Sequence, residues 1–142
     1  MNNRIIYCAV TGLIFICLLS GCYSGRQVNF PQLPDQVPDS VIIINGVMGV
    51  DLPPVEDKTV ISDLIELIGN TKYIAVDSTE INGGGYGVKF VYSDSNIEYY
   101  FPSSEYVSVR MNESAYTQYK IEQKNGSALY NYLQNYVTEH SE

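Results

Sequence analysis

Between residues 88 and 121 apolar side chains recur at every second position, and this alternation restricts the possible folds more than any other feature of the chain. Val88, Phe90 and Tyr92 alternate with Lys89 and Val91, and Ile97, Tyr99 and Phe101 alternate with Glu98 and Tyr100. Val107, Val109 and Met111 alternate with Tyr106, Ser108 and Arg110, and Thr117, Tyr119 and Ile121 with Tyr116, Gln118 and Lys120. A period of two sends successive side chains to opposite faces of a strand, so each segment has one face to bury and one that tolerates water. Asp94-Ser95-Asn96 and Pro102-Ser103-Ser104 separate the first three segments. Connections this short join antiparallel neighbours, because parallel strands need a long crossover. The spacing therefore predicts a meander with one apolar face that something must cover.

Two segments have the period to cover it. Asp57 can cap a helix running to about Ile68, with Val60, Ile61, Leu64, Ile65 and Ile68 on one side and Lys58, Ser62, Asp63 and Glu66 on the other. Gly69-Asn70 supplies a stop. Near the C-terminus, Asn125-Gly126 reads as a turn into a helix capped by Ser127, with Leu129, Tyr130, Leu133, Tyr136 and Val137 on its apolar face. Val41–Ile44 and Lys72–Asp77 read as further strands. The predicted fold of residues 41–142 is α+β: a two-layer sandwich of a mainly antiparallel sheet with two helices on one face and the other face open. About 100 residues suffice for a single core.

Residues 1–21 have a different character. Arg4 precedes an uncharged apolar run from Ile5 to Leu19. As a helix this run would rise about 22 Å, short of the roughly 30 Å hydrocarbon core of a bilayer. Small residues Ser20 and Gly21 follow, as at a signal cleavage site. Leu19-Ser20-Gly21-Cys22 resembles the lipobox of bacterial lipoproteins. The resemblance covers residues 1–22. It implies cleavage before Cys22, a diacylglyceryl group on its sulfur, acyl chains such as palmitate, and residence on the extracytoplasmic side of the cell membrane, or of the outer membrane in a Gram-negative envelope. Two acyl chains anchor a protein firmly where one holds it marginally. Cys8 and Cys17 would leave with the leader, so the mature chain would hold no thiol and no disulfide. Residues 22–40, with Pro31, Pro34 and Pro38, read as a tether. Extended at about 3.1 Å per residue, it spans roughly 55 Å.

The charge balance narrows the partners. Residues 22–142 keep all 16 acidic residues but only seven of the eight basic ones, a net charge of −9. Such a surface repels nucleic acid. The catalytic inventory is thin: His140 is the only histidine and lies two residues from the end. No Ser-His or Cys-His pairing and no transition-metal ligand set can be assembled, so the sequence predicts no catalytic residue, no metal and no cofactor. Asp94-Ser95-Asn96 with Glu98 lacks the spacing of an EF-hand loop. Asn82-Gly83-Gly84-Gly85-Tyr86-Gly87 leads into a strand rather than a helix, which favours a flexible hairpin or bulge over a phosphate cradle.

Tyrosine is the compositional outlier, with 13 in the chain. By phase, Tyr92, Tyr99, Tyr119, Tyr130 and Tyr136 point into the core. Tyr100, Tyr106 and Tyr116 fall on the opposite phase with Lys89, Arg110 and Lys120. Tyrosine forms strands well on a solvated face. Tyrosine interleaved with basic residues is also the composition of interface hot spots. The expectation is a membrane-anchored lipoprotein whose non-enzymatic domain acts as an interaction or sensor-accessory module for an envelope protein. The alternative is a cell-wall glycan-binding module, weakened by the absence of tryptophan. A hydrolase and a peptidase-inhibitor or immunity role rank below both.

Overall fold

A computed structural model of the chain describes residues 32–76 and 84–141. These residues form one seven-stranded sheet and two helices. In chain order they are β1 (Ser40–Asn45), β2 (Val50–Asp51), α1 (Lys58–Gly69), β3 (Tyr73–Ala75), β4 (Tyr86–Val91), β5 (Asn96–Ser103), β6 (Tyr106–Met111), β7 (Thr117–Ile121) and α2 (Gln123–His140). The strand order is β2-β1-β4-β5-β6-β7-β3, and every pairing is antiparallel. The architecture is the α+β sandwich that the alternation calls for. The meander β4–β7 forms the centre, and β1 and β3 flank it. Since β1 and β3 lie on opposite sides of the meander, the segment containing α1 carries the chain across the sheet.

One face of the sheet and both helices enclose the core. Val41 and Ile43 of β1, Val88 and Phe90 of β4, Ile97, Tyr99 and Phe101 of β5, Val107 and Val109 of β6, and Tyr119 and Ile121 of β7 are all buried. Ile61, Leu64 and Ile68 of α1 and Leu129, Leu133 and Val137 of α2 close over them. The three buried residues of α2 are spaced four apart, which keeps them on one side of a 3.6-residue helix. That helix packs against α1, β1 and β4. Phe90 and Tyr99 meet edge to face, with ring centroids 6.0 Å apart.

Three local expectations change. The second helix starts at Gln123, with Glu122 as its N-cap residue and no side-chain cap, so Asn125-Gly126 lies inside its first turns and Ser127 is not a cap. Burial of Leu129, Leu133 and Val137 compensates for a glycine that would otherwise weaken the helix by about 1 kcal/mol. α1 does stop at Gly69-Asn70, as the sequence indicates, but without the left-handed turn that a glycine stop commonly brings. Asn70 stays right-handed at φ −84°, and its N–H donates to the Glu66 carbonyl. The N-terminus of α1 follows the sequence, with the Asp57 carboxylate accepting from the Thr59 N–H at 2.8 Å.

The approach to β1 is the third change. Pro38 is buried, Leu33 packs against the core, and the Asp39 N–H donates to the Val91 carbonyl at 2.8 Å. Packing therefore begins before residue 41. The leader, the lipobox residues Leu19, Ser20, Gly21 and Cys22, the tether up to Pro31, and Asn82-Gly83 lie outside the described residues.

Candidate functional site

The antiparallel registers decide which outward-phase side chains become neighbours. Lys89 on β4 stands opposite Glu98 on β5, and Glu98 stands opposite Arg110 on β6. One row along, Gly87 faces Tyr100, Tyr100 faces Ser108, and Ser108 faces Gln118. In the next row Tyr106 faces Lys120, which faces Ile74 on β3. Directly opposed side chains on one face lie within contact distance. Tyr116, just ahead of β7, reaches back across β6 to Glu98. The structure thus places Lys89, Tyr100, Tyr106, Arg110, Tyr116 and Lys120 together on the face of the sheet that the helices leave uncovered.

That face is less open than strand phase implies. Glu98 is only 4% exposed and Ser108 only 8%, although both point away from the helices. Arg110 and Tyr116 cover the carboxylate of Glu98. The Arg110 Nε and one terminal nitrogen donate to Glu98 Oε2 at 3.1 and 2.7 Å, and the Tyr116 hydroxyl donates to Oε1. The guanidinium carbon lies 4.7 Å from the centre of the Tyr116 ring, so the cation also stacks on the aromatic face. The hydrogen bonds to Glu98 raise the Arg110 pKa above its ordinary value. Burial and then the bond to Glu98 hold the Tyr116 hydroxyl well above the usual phenol range. Arg110 is therefore not a loose surface cation, as its phase suggests, but one member of a three-residue clasp.

Tyr100 is fixed from its other side. Its hydroxyl accepts from the Gly85 N–H at 3.0 Å, and its ring runs past Gly87 and Gly46. A Cβ on Gly46 would meet the Tyr100 hydroxyl, and a Cβ on Gly85 would run into the carbonyl oxygen of Phe101 and lie 2.7 Å from Pro102 Cα. The described part of the glycine-rich segment, from Gly84 onward, is packed backbone and not the flexible hairpin that composition suggests. Glycine is needed there because strands and turn approach too closely for a side chain. Tyr106 is half-buried and Lys120 is exposed. This pair stands clear of the clasp.

No protein-family model, curated protein or solved structure matches the chain. The reading of the site rests on its geometry alone. Among the described residues no three His, Cys, Asp or Glu side chains gather as they would around a metal ion. No described helix is long and apolar enough to cross a membrane. The His140 ring stacks on Tyr136 at 4.0 Å between centroids, and its Nδ1 lies 2.8 Å from the Tyr136 carbonyl oxygen. The contact packs the ring against the last turn of α2.

Glu98 is the site residue that strand phase alone does not reveal. A signal for it is present in the sequence: an acidic and a basic residue, Glu98 and Arg110, on the outward phase of two strands joined by a short turn. Their pairing becomes compulsory only once the register opposes them.

Proposed function

We propose that the chain is a membrane-anchored extracytoplasmic lipoprotein whose α+β domain is a non-enzymatic interaction module, docking an envelope protein on the helix-free face of its sheet. The carrying observation is the convergence of Tyr100, Tyr106 and Tyr116 with Lys89, Arg110 and Lys120 on that one face, with Arg110 and Tyr100 held in single positions by hydrogen bonds. Aromatic and arginine side chains that are already ordered lose little freedom on binding, which is the economy that hot spots exploit. Strands hold all of them except Tyr116, which is fixed by its bond to Glu98.

The clasp determines which substitutions test this reading. Arg110→Ala would strand a buried carboxylate, so loss of binding would not separate contact from stability. Tyr106→Ala with Lys120→Ala alters an opposed pair outside the clasp. In native membranes, full-length tagged chain crosslinked to its neighbours should capture one envelope protein, and the Tyr106/Lys120 variant should lose it. Equal capture by a folded variant overturns the reading. Sedimentation with purified cell wall, lost in the same variant, would instead make the face a glycan site. The anchor has its own test: labelled palmitate should enter the wild-type chain and not Cys22→Ser.

A further inference from the structure

A cleft on the helix-covered side of the molecule plays no part in this reading. It lies between the approach to β1 and the C-terminal turns of α1, with a volume of about 660 Å³. Small-molecule sites typically occupy about 300–1,000 Å³ and are mainly apolar, with a few polar groups that orient the ligand. Leu33 and Val37 form one wall, Ile65 and Ile68 of α1 the other, and Tyr73 of β3 also lines it. The polar atoms of the lining near α1 are already engaged: the Tyr73 hydroxyl donates to the Ile68 carbonyl at 3.1 Å, and Thr71 Oγ1 donates to the Leu67 carbonyl at 2.6 Å. What remains is a largely hydrocarbon surface, and Val37 on it is 68% exposed to water.

The electrostatics of the cleft have one sign. Asp35 is its only charged lining residue and makes no ion pair among the described residues. The last turn of α1 contains no basic residue either, so no cation offsets Asp35 from that side of the cleft. An anion would meet the Asp35 carboxylate with no cation in the lining to offset it, whereas an ammonium group would find that carboxylate favourable.

We propose that this cleft binds a small cationic amphiphile, with its apolar body between Val37 and Ile68 and its amine near Asp35. The probes are 4-phenylbutylamine, 4-phenylbutan-1-ol and 4-phenylbutyrate, which share a body and differ in head group. Calorimetric titrations use the full-length chain in one membrane mimetic, with Ile65→Trp, which puts a bulky ring into the apolar part of the cleft, as the comparison. The amine should bind about fivefold more tightly than the alcohol, as expected for one solvent-accessible charge pair. The carboxylate should bind most weakly, and Ile65→Trp should weaken the binding of all three. Asp35→Asn, an exposed substitution that leaves the fold intact, should narrow the gap between amine and alcohol. The proposal is overturned if folded Ile65→Trp binds the amine as wild type does, or if amine and alcohol bind wild type equally. Should Ile65→Trp not fold, Asp35→Asn decides: an unchanged preference for the amine overturns it.

Discussion

Arg110→Ala removes both N–H donors from Glu98 Oε2 and leaves the carboxylate with the Tyr116 hydroxyl alone. If the pair were an ordinary surface ion pair, the loss would be at most about 1 kcal/mol. The side chain of Glu98 is only 5% exposed, however, and that places it in a different class. Truncating one partner of a buried pair costs about 3–5 kcal/mol, because the remaining charge is desolvated without compensation. The Arg110 side chain is itself 33% exposed, so its removal admits some water to the carboxylate and lowers the cost. The expected loss is about 2–3 kcal/mol, in keeping with charge-assisted hydrogen bonds of about 1.5–3 kcal/mol. For a domain of about 100 residues this lowers Tm by roughly 10–20 °C. Urea denaturation followed by circular dichroism measures it, with an unchanged m-value showing that only stability has moved. Glu98→Gln in the Arg110→Ala background removes the stranded charge and keeps an acceptor for Tyr116, so the double variant should regain about half of the loss. An Arg110→Ala loss below about 0.5 kcal/mol, or a double variant no more stable than the single one, refutes the argument that burial makes the clasp strong.

Four further outcomes are expected. Tyr92→Phe should be neutral or stabilising by up to about 1 kcal/mol in the same urea assay, because the buried Tyr92 hydroxyl has no hydrogen-bond partner among the described residues. Tyr116→Phe removes the donor to Glu98 Oε1 and should instead cost about 1–2 kcal/mol. Gly85→Ala should cost about 2–3 kcal/mol, since the added Cβ meets the backbone of Phe101 and Pro102, which cannot swing aside. Finally, burial raises the pKa of Tyr73, Tyr92, Tyr99, Tyr116, Tyr119, Tyr130, Tyr132 and Tyr136 in the folded state. The native state therefore retains phenolic protons that the unfolded state gives up above about pH 10. Stability should be intact below that pH and fall as pH rises through it. In a spectrophotometric titration the buried tyrosines should ionise together with unfolding; ionisation of all of them with the native circular dichroism retained would contradict this.

The strands were legible where a face had to be buried. Val88 and Phe90, Ile97 and Tyr99, and Val107 and Val109 keep a strict period because each alternate residue is buried in the core. Helix α1 was legible for two independent reasons, its apolar stripe and the Asp57 cap. The two-residue strand β2 was not, since Val50 and Asp51 are both exposed and carry no burial pattern. The start of α2 was misread because Asn125-Gly126 is a turn signal of purely local strength, and tertiary burial of three apolar residues further along outweighs it. The outward set of six residues could be read from phase alone. The burial of Glu98 could not, because it depends on contacts 12 and 18 residues away in sequence. The separation of β1 from β3 depends on a helical crossover whose span no local pattern encodes.

The clasp joins two properties of the helix-free face that are usually separate. A one-residue slip of β5 against β6 would turn Glu98 toward the helices, into the layer that Tyr99 and Val109 now fill, and would leave Arg110 with no carboxylate opposite. The ion pair therefore penalises the slipped register by the desolvation of an unpaired charge, whatever it adds to the stability of the correct one. That matters most in β5–β6, where the register already shifts between Tyr100 and Ser103 and the hairpin is open to misalignment. The same bonds hold the guanidinium over the Tyr116 ring, so the feature that fixes strand alignment also fixes the shape presented to a partner. Deleting the clasp would perturb alignment and surface together. Only residues beside it, such as Tyr106 and Lys120, can separate recognition from folding.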